Sequence, residues 1–281
     1  MVGEPLGSTR LVLDTHGCRL TTAPLPGDGW RWQHDALKWQ ITKDCATVQA
    51  RIQTEVYGLF AAHIPQAGRR RLSAETARKR QGLVPDFLLY ADMDGPHRPL
   101  LMELKTLHYG SSTYPSDERR CNAVARRARA IPAEYAAKTA TVDRVYCGTP
   151  SGEVGPVARR LMTFDPVHGL VFGAWGEASP QVEKLLGWLA QEGAGKLWRD
   201  MGCVDAPAAR GILAWSIRRR WAMTALRQNA RLKIDRLTYV GQGAAQAARR
   251  RQTSQASWAA RATARAAGDA AASIRRRRPV E

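Results

Sequence analysis

Two short apolar segments, separated by a turn-forming cluster, constrain the fold of this chain more than any other feature. The first covers residues 83–90, the second covers residues 99–106, and Asp94-Gly95-Pro96 lies between them. Apolar runs of this length that are bounded by glycine and proline are typical of buried β-strands. The spacing therefore predicts a β-hairpin over residues 83–106 with its strands in a core.

Charged side chains interrupt both predicted strands. Asp86 follows a proline at the start of the first strand, and Glu103 and Lys105 lie two positions apart in the second. Because side chains alternate along a strand, Glu103 and Lys105 project from one face, and the carboxylate of Asp86 can converge on the same point. Burying such charges without a function is costly. The alternative is that Glu103 and Lys105 lie on an exposed strand face.

Two converging carboxylates have a definite chemical meaning. Mg²⁺ takes oxygen ligands and is usually held by one or two carboxylates together with water and substrate phosphate. A lysine beside the ion, here Lys105, could orient or deprotonate a water and stabilise the charge that develops on an attacked phosphate. The hairpin thus predicts a divalent-cation site.

A third carboxylate falls on a predicted helix. Apolar residues recur at helical spacing from Val48 to Phe60 and predict a helix over residues 45–63. Glu55 lies inside this apolar stripe, so its side chain should point into the core, toward a metal, a lysine or a buried water. The alternative is that Glu55 lies at the edge of the stripe and reaches solvent.

The remaining segments follow from the same patterns. Residues 1–35 are rich in Gly, Pro and Thr and predict loops with at most one strand. Three neighbouring tryptophans are expected to pack in the core, with a base-stacking platform as the alternative: Trp30, Trp32 and Trp39. Helices are predicted over residues 117–141, with a break at Pro132, and over residues 154–163, 179–191 and 207–238. Further strands are predicted over residues 143–148 and 169–175.

Positive charge is concentrated at the end of the chain. The sequence has 43 basic and 25 acidic side chains, and residues 206–281 hold 17 of the basic and only three of the acidic ones. This excess indicates a polyanionic partner, most simply nucleic acid; the alternative is the composition bias of a GC-rich genome. Residues 243–281 are low in complexity, which predicts disorder or a helix that orders on a partner.

Several classes of protein lack support in the sequence. No apolar stretch approaches the length of a membrane span, and the first residues do not resemble a secretory signal. The five cysteines are scattered and form no CxxC pair, which favours a reducing compartment. We therefore expect an intracellular protein, nuclear in a eukaryote and otherwise cytoplasmic. Neither a P-loop nor a GxGxxG or GxSxG motif is present.

The order Glu55, Pro85-Asp86 and Glu103-Leu104-Lys105, followed by a helix, resembles the PD-(D/E)XK nuclease superfamily over roughly residues 45–175. The resemblance implies an α/β protein with a restriction-endonuclease-like core, in which helices flank a mixed central β-sheet. It also implies metal-dependent hydrolysis of DNA, as an endonuclease or exonuclease. Asp86 and Glu103 would hold Mg²⁺ or Mn²⁺, and Lys105 would activate water. Glu55 would match the acid that many members carry on the first core helix and would be a third metal ligand.

The charge distribution, together with the resemblance, suggests how the chain is organised and where nucleic acid would bind. Residues 1–205 would form the nuclease-like domain, residues 206–242 a basic helical extension and residues 243–281 a tail, an arrangement that would suit a mobile-element endonuclease. Candidate nucleic-acid contacts are Tyr135, Lys138, Arg126, Arg127, Arg218, Arg219 and Arg220. Whether the protein forms a homodimer stays open, since the sequence shows no signal of an interface. Two alternatives also stay open, a non-catalytic nucleic-acid-binding protein with the same fold and a structural protein that neutralises nucleic acid.

Overall fold

A mixed sheet of four strands, flanked by helices, forms the centre of this α/β protein. The computed structural model describes residues 2–7, 9–25, 29–56, 58–74, 84–90, 99–108 and 122–241. The strands are β1 (Arg51–Thr54), β2 (Phe87–Tyr90), β3 (Pro99–Thr106) and β4 (His168–Phe172). The helices are α1 (Cys18–Thr22), α2 (Gly29–Thr47), α3 (Gln66–Ala74), α4 (Ala123–Val142), α5 (Pro156–Leu161), α6 (Pro180–Leu197) and α7 (Ala206–Leu237).

The sheet has the strand order β1-β2-β3-β4. β1 and β3 both run antiparallel to β2, and β4 runs parallel to β3. The predicted hairpin and the strand predicted over residues 169–175 are therefore confirmed, while the turn at Asp94-Gly95-Pro96 lies outside the described residues. The helices predicted over residues 154–163, 179–191 and 207–238 are also confirmed, as α5, α6 and α7.

Two apolar cores cover the two faces of the sheet. Alternate residues of β3, among them Met102, join one core with residues of α2, α6 and α7. Leu101 joins the other core with residues of α4, among them Ile131. Helix α4 lies very close to the sheet at Gly169, where a Cβ would approach the Ala128 Cα to 2.8 Å. Only glycine fits there, so this contact fixes α4 against β4.

The chain divides into two compact units. One comprises residues 33–229 and contains the sheet and both of its cores. The other is formed by residues 1–32 and 230–281, of which residues after 241 lie outside the described part of the chain. Its own small core contains Leu6, Leu20 and Tyr239. None of the helices in the described part of the chain is both long and apolar enough to cross a membrane.

The helix predicted over residues 45–63 is wrong. Helix α2 ends at Thr47, Gln49 has a φ of 60°, and the chain then enters β1. Val48, Ile52 and Val56 are four residues apart, a spacing that places them on one stripe of a helix. The same spacing places them on one face of an extended chain, because every second side chain of a strand points the same way. The loop prediction for residues 1–35 is also wrong in part, because α1 and the first turns of α2 lie there.

Two further local predictions are wrong. Helix α4 continues through Pro132 without a second helix starting there. Residues Asp143–Cys147 extend it as a π-helical turn instead of forming a strand. The Asp143 carboxylate accepts hydrogen bonds from the backbone N–H groups of Val157 and Ala158, at 2.9 and 2.8 Å, and so caps the start of α5. This long-range cap outweighs the strand preference of the local sequence.

Candidate active site

The sheet brings the three predicted carboxylates to one of its ends. Continued by one residue, the register of β1, β2 and β3 puts Glu55, Asp86 and Glu103 at the same level on neighbouring strands. The backbone N–H of Glu55 donates to the Asp86 carbonyl at 3.0 Å. The backbone N–H of Leu104 donates to Asp86 Oδ2 at 2.8 Å. The side chain of Asp86 is thereby tied to the strand that carries Glu103.

Glu103 is a buried carboxylate with two donors. The hydroxyl of Tyr135 on α4 donates to Glu103 Oε2 at 2.6 Å, and the ammonium of Lys105 donates to Oε1. Burial raises the pKa of Tyr135, and the charge of Glu103 raises it further, so the hydroxyl keeps its proton and remains a donor. Glu103 is 8% exposed, whereas the side chain of Lys105 is 35% exposed. The lysine thus connects the buried carboxylate to the solvent.

Asp86 meets two cationic side chains from α2. His34 Nε2 lies 3.1 Å and Lys38 Nζ 3.9 Å from Asp86 Oδ1. Burial raises the pKa of Asp86, but the hydrogen bond and charge of His34 outweigh it, and the net pKa is lowered from 3.8. The Asp86 carboxylate is therefore ionised at neutral pH.

The imidazole of His34 is held in its charged form. Its Nδ1 lies 3.3 Å from Asp35 Oδ1, on the side opposite Asp86. Burial lowers the pKa of His34, but its hydrogen bonds to Asp35 and Asp86 outweigh burial and raise the pKa to about 9. At neutral pH both ring nitrogens therefore carry protons and face carboxylates.

Glu55 reaches the same cluster by a different route from the one predicted. It follows β1 with a φ of 49°, and its side chain is 40% exposed. Lys38 Nζ donates to Glu55 Oε1 at 2.6 Å, and burial, which lowers the pKa of Lys38, is outweighed by this bond and by neighbouring carboxylates. The prediction of a helical Glu55 pointing into an apolar core is wrong, although a lysine is its partner.

Sequence reasoning missed the three α2 residues of this cluster, because α2 was assigned in part to a loop. A signal was present: His34 and Lys38 are four residues apart, on a segment whose apolar residues Leu37 and Ile41 have the same spacing. Together, four carboxylates and three cationic side chains meet at this end of the sheet: Asp35, Glu55, Asp86, Glu103, His34, Lys38 and Lys105.

The predicted nucleic-acid contacts on α4 have varied environments. Tyr135 is buried and bonded to Glu103. Arg127 forms a paired contact with Glu134, with Nη2 3.0 Å from Oε2. Arg126 and Lys138 are exposed, and Lys138 Nζ lies 5.7 Å from the centre of the Tyr135 ring. Among the predicted contacts on α4, Arg126 and Lys138 are thus the two with exposed side chains.

The predicted arginine run on α7 is divided among three partners. Arg218 pairs with Glu183, and Arg220 Nη2 lies 2.7 Å from Asp44 Oδ1. Arg219 lies over the ring of Trp215, with Cζ 5.2 Å from its centre. Two of the three charges are therefore compensated within the protein.

The donor set fits a divalent cation in part. Within the described residues, no group of three or more His, Cys, Asp or Glu side chains is placed to hold a metal. Asp86 and Glu103 supply two carboxylates on adjacent strands, which is the protein contribution that Mg²⁺ commonly uses. A cation at Asp86 would replace the present contacts of His34 and Lys38.

Comparison with models of protein families, with curated proteins and with solved structures gave no match. The chemistry of the cluster itself therefore has to indicate the function. That chemistry is a pair of carboxylates at one level of the sheet, of which Asp86 is ionised and the buried Glu103 is oriented by a lysine and a tyrosine.

Proposed function

We propose that the protein is a metal-dependent nuclease with a restriction-endonuclease-like core, which hydrolyses phosphodiester bonds of DNA. One observation carries the proposal. Asp86, which directly precedes β2, stands at the level of Glu103 on β3, and the ammonium of Lys105 contacts the carboxylate of Glu103. This is the set that the sequence pattern predicts for the reaction.

In this proposal Asp86 and Glu103 hold Mg²⁺ or Mn²⁺. The bound ion would polarise a phosphate oxygen and lower the pKa of a water at neutral pH. Lys105 lies at the solvent side of the pair, where its charge stabilises a phosphate that gains negative charge. Its partly exposed ammonium can also orient the attacking water.

Surrounding residues keep the two carboxylates in place before substrate arrives. Tyr135 fixes one oxygen of Glu103, and the Leu104 N–H fixes one oxygen of Asp86. The other oxygen of each carboxylate faces a cationic side chain, Lys105 or His34. Groups of this kind orient metal ligands and commonly affect metal affinity or activity by about 10–100-fold.

The test is cleavage of supercoiled plasmid and of single-stranded DNA with Mg²⁺, Mn²⁺, Ca²⁺ or EDTA. Asp86→Asn and Lys105→Met should each reduce metal-dependent cleavage by about 100-fold or more. Glu192→Gln changes an exposed carboxylate on α6 and serves as the matched control, with wild-type activity expected. Cleavage that persists in EDTA, or that survives both site substitutions, would refute the assignment.

A second function is favoured by one observation, namely that Asp86 is already compensated by His34 and Lys38. Such compensation is typical of a structural ion-pair cluster, which would suit a non-catalytic nucleic-acid-binding protein with the same fold. This alternative predicts DNA binding without cleavage on every substrate and with every metal. It also predicts that divalent ions leave the thermal stability of the protein unchanged.

A further inference from the structure

Helices α2 and α7 form an antiparallel pair within the unit of residues 33–229. Asp44 of α2 accepts hydrogen bonds from Arg220 and from the Trp221 indole of α7, both at 2.7 Å. Beyond the end of α2, Val48 lies near Leu213, since both come within 3.0 Å of a Cβ placed on Gly193. A later position on α2 thus meets an earlier position on α7, which defines the antiparallel direction.

The side of this pair that faces the sheet is well defined. Ile41 and Cys45 of α2, and Ile217 and Trp221 of α7, are buried in the same core. Cys45 follows Asp44 and Trp221 follows Arg220 by one position, and Ile41 and Ile217 lie one turn earlier on the same sides of their helices. On each helix, the residue one position before the contact residue lies about 100° around the helix axis in the opposite direction. Because both helices are right-handed and run antiparallel, these two residues face the same side of the helix pair, which is the side away from the sheet.

That outer side carries two exposed tryptophans, each beside a cation. Trp39 is 55% exposed and Trp215 is 61% exposed, so the expectation that Trp39 packs in the core is wrong. Lys43 Nζ lies 5.2 Å from the centre of the Trp39 ring, and Arg219 Cζ lies 5.2 Å from the centre of the Trp215 ring. We call these four residues the Trp39–Trp215 surface.

The four residues have a simple order. Lys43 and Arg219 each precede a member of the Asp44–Arg220 ion pair, so the two cations lie at one level. Each tryptophan is four residues from its cation, about 6 Å along its helix and in opposite directions. Along the helix axes, the two rings therefore lie on either side of the cations.

We propose that the Trp39–Trp215 surface binds single-stranded DNA. Exposed aromatic rings stack on unpaired bases, and cations between them attract the phosphates that link those bases. A duplex keeps its base faces stacked inside, so it cannot use the rings in this way. A second copy of the chain would bring Lys43 and Arg219 against like charges, which is unfavourable. The choice of DNA as the nucleic acid rests on the proposed function. The binding surface and the preference for a single strand follow from the two exposed rings and their cations.

The test is binding of a fluorescein-labelled oligothymidylate, followed by anisotropy in EDTA so that metal-dependent cleavage cannot occur. Trp39→Ala and Trp215→Ala should each weaken binding by about fivefold to 100-fold, the range expected for loss of one stacked base. Trp175→Ala removes another exposed ring, 64% exposed in the chain after β4, and should leave binding unchanged. Lys43→Gln together with Arg219→Gln should reduce the dependence of binding on salt.

Four results would overturn the inference. Binding of the single strand could be unchanged in both tryptophan variants, or the loss could be equal for Trp175→Ala. A duplex of matched sequence could lose as much affinity as the single strand. Sedimentation could show a wild-type dimer that the tryptophan substitutions dissociate, which would assign the surface to a second copy. Circular dichroism melting confirms that each variant is folded.

The same experiment separates this inference from the proposed nuclease activity. Tryptophan-dependent binding without any cleavage by the wild type would support DNA binding at the Trp39–Trp215 surface and refute the nuclease activity. Normal cleavage by the wild type, with unchanged binding in the tryptophan variants, would support the nuclease activity and refute binding at this surface.

Discussion

Replacing His34 should change how the stability of the metal-free protein depends on pH. In the folded chain burial lowers the pKa of His34, but hydrogen bonds to Asp35 and Asp86 raise it from 6.5 to about 9. Each pKa unit corresponds to about 1.4 kcal/mol, so the difference of about 2.5 corresponds to about 3 kcal/mol. The side chain is 24% exposed, and solvent screening therefore removes only a minor part of this free energy.

The sign follows from the direction of the shift. Because folding raises the pKa, the folded state binds the proton more tightly, and the contribution of His34 is complete below pH 6.5. It is lost as the pH rises through about 9. The pKa of Asp86 is lowered from 3.8, so its carboxylate stays charged throughout this range. His34→Gln keeps a polar side chain but binds no proton.

Urea unfolding in EDTA, repeated from pH 6 to pH 10 and followed by circular dichroism, measures the effect. The difference in unfolding free energy between the wild type and His34→Gln should be about 3 kcal/mol larger at pH 6 than at pH 10. His16→Gln, at an exposed histidine, gives the background of a histidine-to-glutamine change. A difference that is constant across this range, or that grows with pH, would refute the reasoning.

Three further predictions concern other parts of the chain. Tyr135→Phe should lower the unfolding free energy by about 1–3 kcal/mol and slow cleavage by about 10–100-fold, because Glu103 loses a donor. Urea unfolding measures the first effect and plasmid cleavage the second. Wild-type values in both assays would contradict the prediction. Asp44→Ala should destabilise the protein by about 3 kcal/mol in the same unfolding assay, since the buried Trp221 indole loses its acceptor. A loss below about 1 kcal/mol would show that the bond contributes little. Deleting residues 243–281 should flatten the fall of log K for DNA with log salt concentration, and an unchanged slope would exclude this segment from phosphate contact.

The hairpin shows what local sequence rules can predict. Residues 83–90 and 99–106 have strand composition and a strong turn signal between them, so strand type and side-chain alternation follow without knowledge of the rest of the chain. The common face of Glu103 and Lys105 was predictable for the same reason, and the two side chains are in contact.

Helix α2 shows where such rules are ambiguous. Apolar residues recur three or four positions apart from Ile41 through Cys45 to Val48, and four apart from Val48 to Ile52 and Val56, although the helix ends at Thr47. The same spacing suits a helical stripe and one face of a strand, so periodicity alone placed the helix too late in the chain. With α2 misplaced, His34 and Lys38 could not be assigned to the site.

The sequence by itself determined the hairpin, the carboxylates on its strands and the concentration of basic residues after residue 206. Only the tertiary structure decided which distant side chains meet those carboxylates: His34 and Lys38 from α2, and Tyr135 from α4. The physical reason is that strand and helix periods act over a few residues, whereas these partners are chosen by the packing of helices on the two faces of the sheet.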